Sequence, residues 1–389
     1  MPGIYIHIPF CIRKCAYCDF VSFTDQEPRQ AYLSALKKEI SLAGQRFMPV
    51  VYDTVFIGGG TPSILSANDM AELIEHLNNA LRIAPDAEFT IECNPGTVDR
   101  EKLLTFRLGG VNRISFGLQS SDDSLLRAIG RIHDFAKFKE SLALTKEAGF
   151  TNANVDLMYG LPGQSEKQYL DTIREVTALE PTHISAYSLI LEEGTPLYGQ
   201  AMAGEIILPK EDEVADMQDK GRALLSSLGY ERYEISNYAK PGYACRHNIN
   251  YWGNGPYLGM GLAAHSAMDI GGWRRWYNYS SMSDYIGALD KGALPIAEQQ
   301  SIPQKEEMFE CLMLGLRMLK GVDREAFLVR FGQDVCTAYL DAVEALVTLG
   351  WAEVTKAYLR LTNIGLDMEN SALLYFLEDK ETRTENQVK

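Results

Sequence analysis

Gly3-Ile4-Tyr5-Ile6-His7-Ile8-Pro9-Phe10-Cys11-Ile12-Arg13-Lys14-Cys15-Ala16-Tyr17-Cys18 is the stretch whose reading decides the fold. Ile4, Ile6 and Ile8 alternate with Tyr5 and His7, the period of two that marks a strand. Three cysteines in C-x-x-x-C-x-x-C spacing follow on a loop. Thiolates spaced this way can hold three irons of a four-iron cubane. The fourth iron is then open to an external chelator, as an open zinc site is open to substrate. A zinc ion short of one ligand, with His7 as the fourth, is a second reading. Three unrelated thiols are a third.

The alternation of strand and helix continues outward from this stretch. Leu33, Leu36, Ile40 and Ala43 share one face of a helix over 29–45. A second strand over 54–57 runs into Gly58-Gly59-Gly60-Thr61-Pro62. The helix after it has Met70, Leu73, Ile74, Leu77 and Leu81 on its buried stripe. Ser66 and Asp69 sit where a capping box would open it. Further strands are expected at 88–93, 113–117, 154–158 and 183–191. Ser165 with Gln168 caps the helix between the last two, and Pro181 ends it. Strands alternating with helices imply a parallel sheet. Repeated units of this kind close into a barrel or stop short of closing, with the chemistry at the C-terminal strand ends. The cysteines, the glycine run, Glu92 and Gln119 all fall there, and Asp156 lies within the fifth strand.

At 389 residues the chain has room for two or three domains. Its 52 acidic residues against 37 basic ones give a net charge of −15. Non-specific nucleic-acid binding needs a basic face, so that class is set aside; attraction to anionic lipid is set aside for the same reason. No secretory signal is visible, and the uncharged run 248–268 is too rich in Gly and Asn to span a membrane. Seven cysteines, an odd count, argue against a disulfide framework and for a reducing cytoplasm. Residues 230–285 hold nine of the 20 tyrosines. From about 305 the pattern is helical, then two short β-like runs, then a last helix, an order that resembles a winged helix. The expected divisions are a barrel core at 1–230, an aromatic-rich segment at 231–300, a winged-helix-like domain at 301–380 and a flexible tail at 381–389.

Cys11, Cys15 and Cys18, with Tyr17 before the last, resemble the signature of the radical S-adenosylmethionine superfamily. The resemblance implies a partial (β/α)6 barrel and a 4Fe-4S cluster on those three cysteines. It also implies S-adenosylmethionine on the open iron, reduced by one electron and cleavable to a 5′-deoxyadenosyl radical, chemistry the cofactors supply and the protein positions. Glycines let a backbone approach a ligand closely. In the family the segment matching Gly59, Gly60 and Thr61 meets the methionine amino group. Arg113-Ile-Ser-Phe-Gly-Leu-Gln119-Ser, Gly130-Arg131-Ile-His, Asp156-Leu-Met-Tyr-Gly-Leu-Pro-Gly and Tyr5-Ile-His7-Ile-Pro-Phe-Cys11 are similar to the coproporphyrinogen-oxidase-like branch. This implies S-adenosylmethionine contacts from Tyr5, Tyr17, Glu92, Gln119, Arg131 and Asp156. On residue type alone, Glu92 suits ribose hydroxyls, and Gln119, Arg131 and Asp156 read equally as satisfied buried polar groups or surface groups.

Two features separate the oxidase members of that branch from its heme-chaperone members. The oxidases carry a fourth cysteine two residues after the third, where this chain has Phe20. They also carry a long extension before the first cysteine, which here falls at residue 11. In addition, Cys245-Arg-His247-Asn248-Ile-Asn-Tyr251-Trp252 contains H-N-x-x-Y-W, similar to the chaperones' heme motif. That similarity implies heme b on His247, with Asn248, Tyr251 and Trp252 around it and Cys245 as an alternative or second ligand. The other reading places His247 in a hydrogen bond inside an aromatic core, with Trp252 as packing. His265 is a second candidate ligand, and Cys93, Cys311 and Cys336 read as buried packing cysteines. The implied function is a cytoplasmic heme chaperone without oxidase activity. It is not an integral membrane protein and binds no nucleic acid. Its cargo is heme and its partner an acceptor hemoprotein, a respiratory membrane protein that would bring it to the inner membrane. Oxygen-independent coproporphyrinogen III oxidation is the alternative.

Overall fold

Six strands lie side by side in chain order, all parallel: β1 (Gly3–Ile8), β2 (Val51–Gly59), β3 (Arg82–Cys93), β4 (Arg113–Gln119), β5 (Asn152–Tyr159) and β6 (His183–Ser188). The computed structural model describes residues 1–377, so the tail expected at 381–389 lies outside them. Between the strands run α1 (Arg29–Phe47), α2 (Ala67–Ala80), α3 (Arg100–Leu108), α4 (Asp123–Ala128), α5 (Phe135–Glu147) and α6 (Glu166–Thr177). Alternation decides which way each side chain faces. Ile4, Ile6, Ile8, Ile57, Ile91, Ile114, Phe116, Val155 and Ile184 form one core with the apolar stripes of the helices, including Leu36, Leu73, Leu77, Phe106, Phe138 and Ile173. The intervening residues, Glu92, Ser115, Gly117, Asp156, Ser185 and Tyr187, face the interior of the curved sheet. This is the expected partial (β/α)6 barrel with a C-terminal, mostly helical domain.

The boundaries move for local reasons. β2 and β3 begin at Val51 and Arg82, earlier than the apolar pattern at 54 and 88, because Val51–Arg82 and Tyr52–Ile83 pair beyond a break in register. Ser66 Oγ accepts from Asp69 N at 3.0 Å to start α2, while Ser165 and Gln168 cap each other reciprocally at α6. α6 already stops at Thr177, four residues before Pro181.

After α7 (Pro196–Met202) and α8 (Glu211–Ser227), the aromatic-rich segment continues the barrel's own sheet. β7 (Glu231–Arg232) and β8 (Asn237–Ala239) extend it beyond β6. Past α9 (Arg246–Trp252), β9 (Tyr257–Met260) pairs in parallel with β1, and β10 (His265–Asp269), β11 (Trp273–Asn278) and β12 (Ile296–Ser301) add antiparallel strands outside it. A buried carboxylate ties this edge to α1. Glu39 accepts from Gly261 N at 2.8 Å, Asn278 Nδ2 at 2.6 Å and Tyr285 OH at 2.5 Å. Burial pushes its carboxyl up to about 7, against the pull of those three donors.

Beyond residue 301 a separate core gathers Leu312, Leu316, Phe327, Val335, Leu346 and Leu359 under three short strands, Val322–Asp323, Tyr358–Leu361 and Ala352–Val354. This domain meets the barrel through Leu319 N to Tyr233 O (3.1 Å), Arg330 Nη1 to Asn254 O (2.8 Å) and the Arg317 guanidinium 4.9 Å from the Trp252 ring centre. Among the described residues no helix is long and apolar enough to cross a membrane.

Replacing Glu39 by Ala leaves three buried donors facing an apolar gap. At roughly 1–3 kcal/mol for each such group, Glu39→Ala should lose on the order of 3 kcal/mol or more of stability, and Glu39→Gln less. Urea midpoints of the two variants and the wild type check the ranking.

Candidate cofactor site

A cavity of about 610 Å3 opens at the C-terminal ends of the parallel strands. Cys11, Cys15 and Cys18 form part of its wall with Gly59, Gly60, Thr61, Glu92, Gln119, Arg131 and Asp156. The loop that carries the cysteines is fixed from several sides. Cys11 N donates to Phe23 O at 2.9 Å, Phe23 N to Pro9 O at 2.7 Å, and Ala16 N to Ile129 O at 3.0 Å. His7 reaches across from β1: its Nε2 lies 2.8 Å from Val21 O and its Nδ1 3.0 Å from the Tyr5 hydroxyl. With both ring nitrogens engaged, His7 positions the loop and does not complete a zinc site.

All seven cysteines are outside any disulfide. Two of the three loop sulfurs receive hydrogen bonds: Thr61 Oγ1 donates to Cys11 Sγ at 3.6 Å and Arg131 Nη1 to Cys15 Sγ at 3.4 Å. Burial pushes the Cys18 thiol up. Among the described residues no three His, Cys, Asp or Glu side chains close on a single ion. Three thiols spread over one cavity wall, two with donors aimed at them, fit a cluster larger than one ion. They are the residues that would hold a 4Fe-4S cluster, whose chemistry when bound is one-electron transfer to S-adenosylmethionine.

The glycine run does more than clear space for a ligand. Gly59 has φ +110, and a Cβ there would lie 2.5 Å from the His7 ring. One at Gly60 would lie 2.7 Å from Phe10 O. Gly59 N also donates to Glu92 Oε2 at 3.1 Å. Burial first, and neighbouring Asp156 second, hold the Glu92 carboxyl up at about 8. Asp156 is likewise raised, chiefly by burial, against a 2.7 Å hydrogen bond from Asn154 Nδ2. Two inward carboxyl groups can exchange hydrogen bonds with the hydroxyl or amino groups of a bound ligand. Gln119 is held at φ +78, a conformation that disfavours a side chain and persists where surroundings impose it. Tyr187 OH donates to its Oε1 at 3.2 Å. Arg131 also donates to Asn94 Oδ1 and Gly117 O. Tyr5 stacks on Phe56, and Tyr17 lies on the cavity wall.

The H-N-x-x-Y-W residues form the barrel's floor. Glu88, on the inner face of β3, gathers the start of α9: Cys245 Sγ at 3.3 Å, Arg246 N at 2.9 Å and His247 N at 3.0 Å. Asn248 faces the cavity. His247 is 1% exposed, stacked on Phe56, edge-on to Tyr251 and 2.8 Å from Thr54 Oγ1 through Nδ1. Burial keeps its imidazole neutral, down at about 3, and its Nε2 has no partner. Cys245 is fully enclosed and pushed up to about 12 by burial. Trp252 lies under Arg317. The expected heme ligands His247 and Cys245 are thus buried in this arrangement, and neither is part of the cavity wall. His265 is exposed and stacked on Tyr277, away from the cavity. Cys93 is buried as expected, but Cys311 and Cys336 are only half-buried, because each borders the surface of the smaller C-terminal core.

Sequence reasoning missed Asn94, Ser115, Ser185 and Tyr187 on the cavity wall, and Glu88 beneath it. The inward phase of β3, β4 and β6 marks Glu88, Ser115, Ser185 and Tyr187. No short-range signal marks Asn94.

Residues 5–176 match the Radical SAM superfamily, and residues 302–367 match the HemN C-terminal domain. The chain is 35% identical to the heme chaperone HemW of Bacillus subtilis (strain 168) over 383 residues, covering 97% of this chain and 99% of that protein. It is 35% identical to the heme chaperone HemW of Escherichia coli (strain K12) over 385 residues, covering 97% and 98%. Its fold matches that of the radical SAM enzyme coproporphyrinogen III oxidase (HemN) from Escherichia coli, with a TM-score of 0.83 at 23% identity over 96% of this chain and 90% of that one.

Two outcomes follow from the geometry. Anaerobic reconstitution should load iron on the wild type and almost none on Cys15→Ala, read by iron analysis. The Glu92 carboxyl, raised above its unfolded value of 4.5, keeps a proton in the folded chain that the unfolded chain has lost. Its contribution to stability is complete below that value and disappears as pH rises through about 8. Urea midpoints between about pH 6 and about pH 8.5 should therefore fall more steeply for the wild type than for Glu92→Gln.

Proposed function

The chain belongs to the family of the heme chaperone HemW, and from that membership we propose that it binds heme as cargo and delivers it to an acceptor hemoprotein. The observation that carries this reading is the full-length likeness, at 35% identity, to two proteins named as heme chaperones. The likeness to the oxidase is one of fold. Cys11, Cys15 and Cys18 hold the cluster in this reading. Tyr5, Tyr17, Gly59, Gly60, Thr61, Glu92, Gln119, Arg131 and Asp156 surround S-adenosylmethionine.

The residues assign distinct tasks. Glu92 and Asp156 orient hydroxyl and amine groups, and the Gly59–Thr61 backbone admits the cofactor closely. Arg131 braces Cys15 against Asn94. The floor helix α9 closes the barrel below. His247 is neutral, and with the proton on Nδ1 its Nε2 has the lone pair an iron ligand needs. It becomes reachable only if α9 lifts away from Glu88. The acceptor in this reading is a respiratory membrane protein, so that the chaperone works in the cytoplasm and meets the inner membrane through its partner.

Hemin titrated into the purified, cluster-loaded protein should give a saturable Soret change, and the loaded protein should pass its heme to an apo-hemoprotein. The same preparation should form no protoporphyrinogen from coproporphyrinogen III under reducing, anaerobic conditions. An unchanged Soret spectrum, or turnover of the porphyrinogen, would overturn the reading.

A further inference from the structure

The cavity mouth carries large apolar side chains that the chain leaves in water. Phe20 is 62% exposed, Ile190 68% and Ile132 42%, and all three border the cavity whose wall holds the cysteines. They come from three separate loops: the one after Cys18, the one after α4 and the one after β6. Three distant segments converging on one apolar rim indicate a surface that something else covers.

The rim also carries cations. Arg13 and Lys14 stand exposed on the cysteine loop and border the same cavity, in a chain whose net charge is −15. Lys14 Nζ donates to the Phe20 backbone O at 3.0 Å, which ties the ammonium to the loop that carries Phe20 and leaves it two more N–H donors. Asp19 and Glu192 stand on the same rim, so its charge is mixed, and Arg13 and Lys14 are its anion-binding groups. Below the rim the wall turns polar, with Glu92, Gln119, Arg131 and Asp156. An apolar, planar, aromatic ligand is therefore matched by the rim and not by the interior.

We propose that this rim is the docking site of heme while α9 is seated. The macrocycle lies on Phe20, Ile132 and Ile190, and the propionates point to Arg13 and Lys14. The proposal rests on the heme-chaperone reading and deepens it by placing the cargo at the mouth, apart from the closed His247. Ring faces and aliphatic side chains supply the apolar contact, and guanidinium and ammonium groups supply charge-assisted hydrogen bonds to carboxylates.

The test is a hemin titration of the full-length protein, followed in the Soret region, with cluster iron measured in each variant. Phe20→Ala and Ile190→Asn should each weaken binding about tenfold or more, and Phe20→Trp should restore it. The double variant Arg13→Ser, Lys14→Ser should weaken binding of hemin but not of hemin dimethyl ester, whose propionates are masked. Ile190 lies outside the cysteine loop, so its variant decides the matter even if Phe20→Ala loses iron. Unchanged binding in both apolar variants would overturn the docking site while leaving the chaperone reading in place. Absence of any saturable change in the wild type would instead sink the chaperone reading, and this inference with it.

Discussion

The constraint that organises this molecule is the strict alternation along six parallel strands. Every second residue must meet the helices outside, so isoleucine, valine and phenylalanine occupy that phase. The other phase is then forced inward, where α9 closes the floor and a cavity opens above it. Carboxylates, amides and an arginine collect there at the strand ends. The same geometry that builds the core therefore concentrates polar groups in a cavity, and burial shifts their protonation. Glu92 and Asp156 are held more protonated than in water because few solvent dipoles reach them.

Two buried carboxylates do structural work that a helix dipole or an apolar contact would do elsewhere. Glu39 holds the added strands against α1 by accepting three hydrogen bonds. Glu88 accepts from the thiol and the two amides at the start of α9 and so plugs the barrel from below. The plug explains why the H-N-x-x-Y-W helix is both rich in binding-type residues and closed. Its aromatic rings join a continuous stack from Tyr5 through Phe56, His247 and Tyr251 to Tyr257. The stack ties β1 and β2 to α9 and β9 across the floor of the barrel.

The cavity is thereby divided by polarity. Its depth offers hydroxyl- and amine-binding groups beside three thiols. Its mouth offers aliphatic and aromatic side chains beside Arg13, Lys14, Asp19 and Glu192. In the proposed reading one opening serves a polar cofactor and a flat apolar cargo without competition for the same contacts.

The sequence alone determined the strand–helix alternation, the three-thiol loop, the glycine turn, the capping of α2 and α6 and the inward phase of Glu92. Each is a short-range pattern, and backbone geometry translates such patterns directly. The likeness of whole motifs to a known superfamily supplied the cofactor assignment on the same residues. What only the tertiary structure decided is long-range. His7 is spent on Val21 and Tyr5 and so does not bind metal. Asn94 meets Arg131, and the aromatic segment pairs with β1 and extends the barrel's own sheet. His247 and Cys245 are enclosed over Glu88, although their motif reads as a ligand set. Local spacing specifies which groups a segment offers, but burial and partners come from distant segments, 193 residues away in the His247–Thr54 hydrogen bond and 246 in the Tyr285–Glu39 one, and no local pattern encodes them.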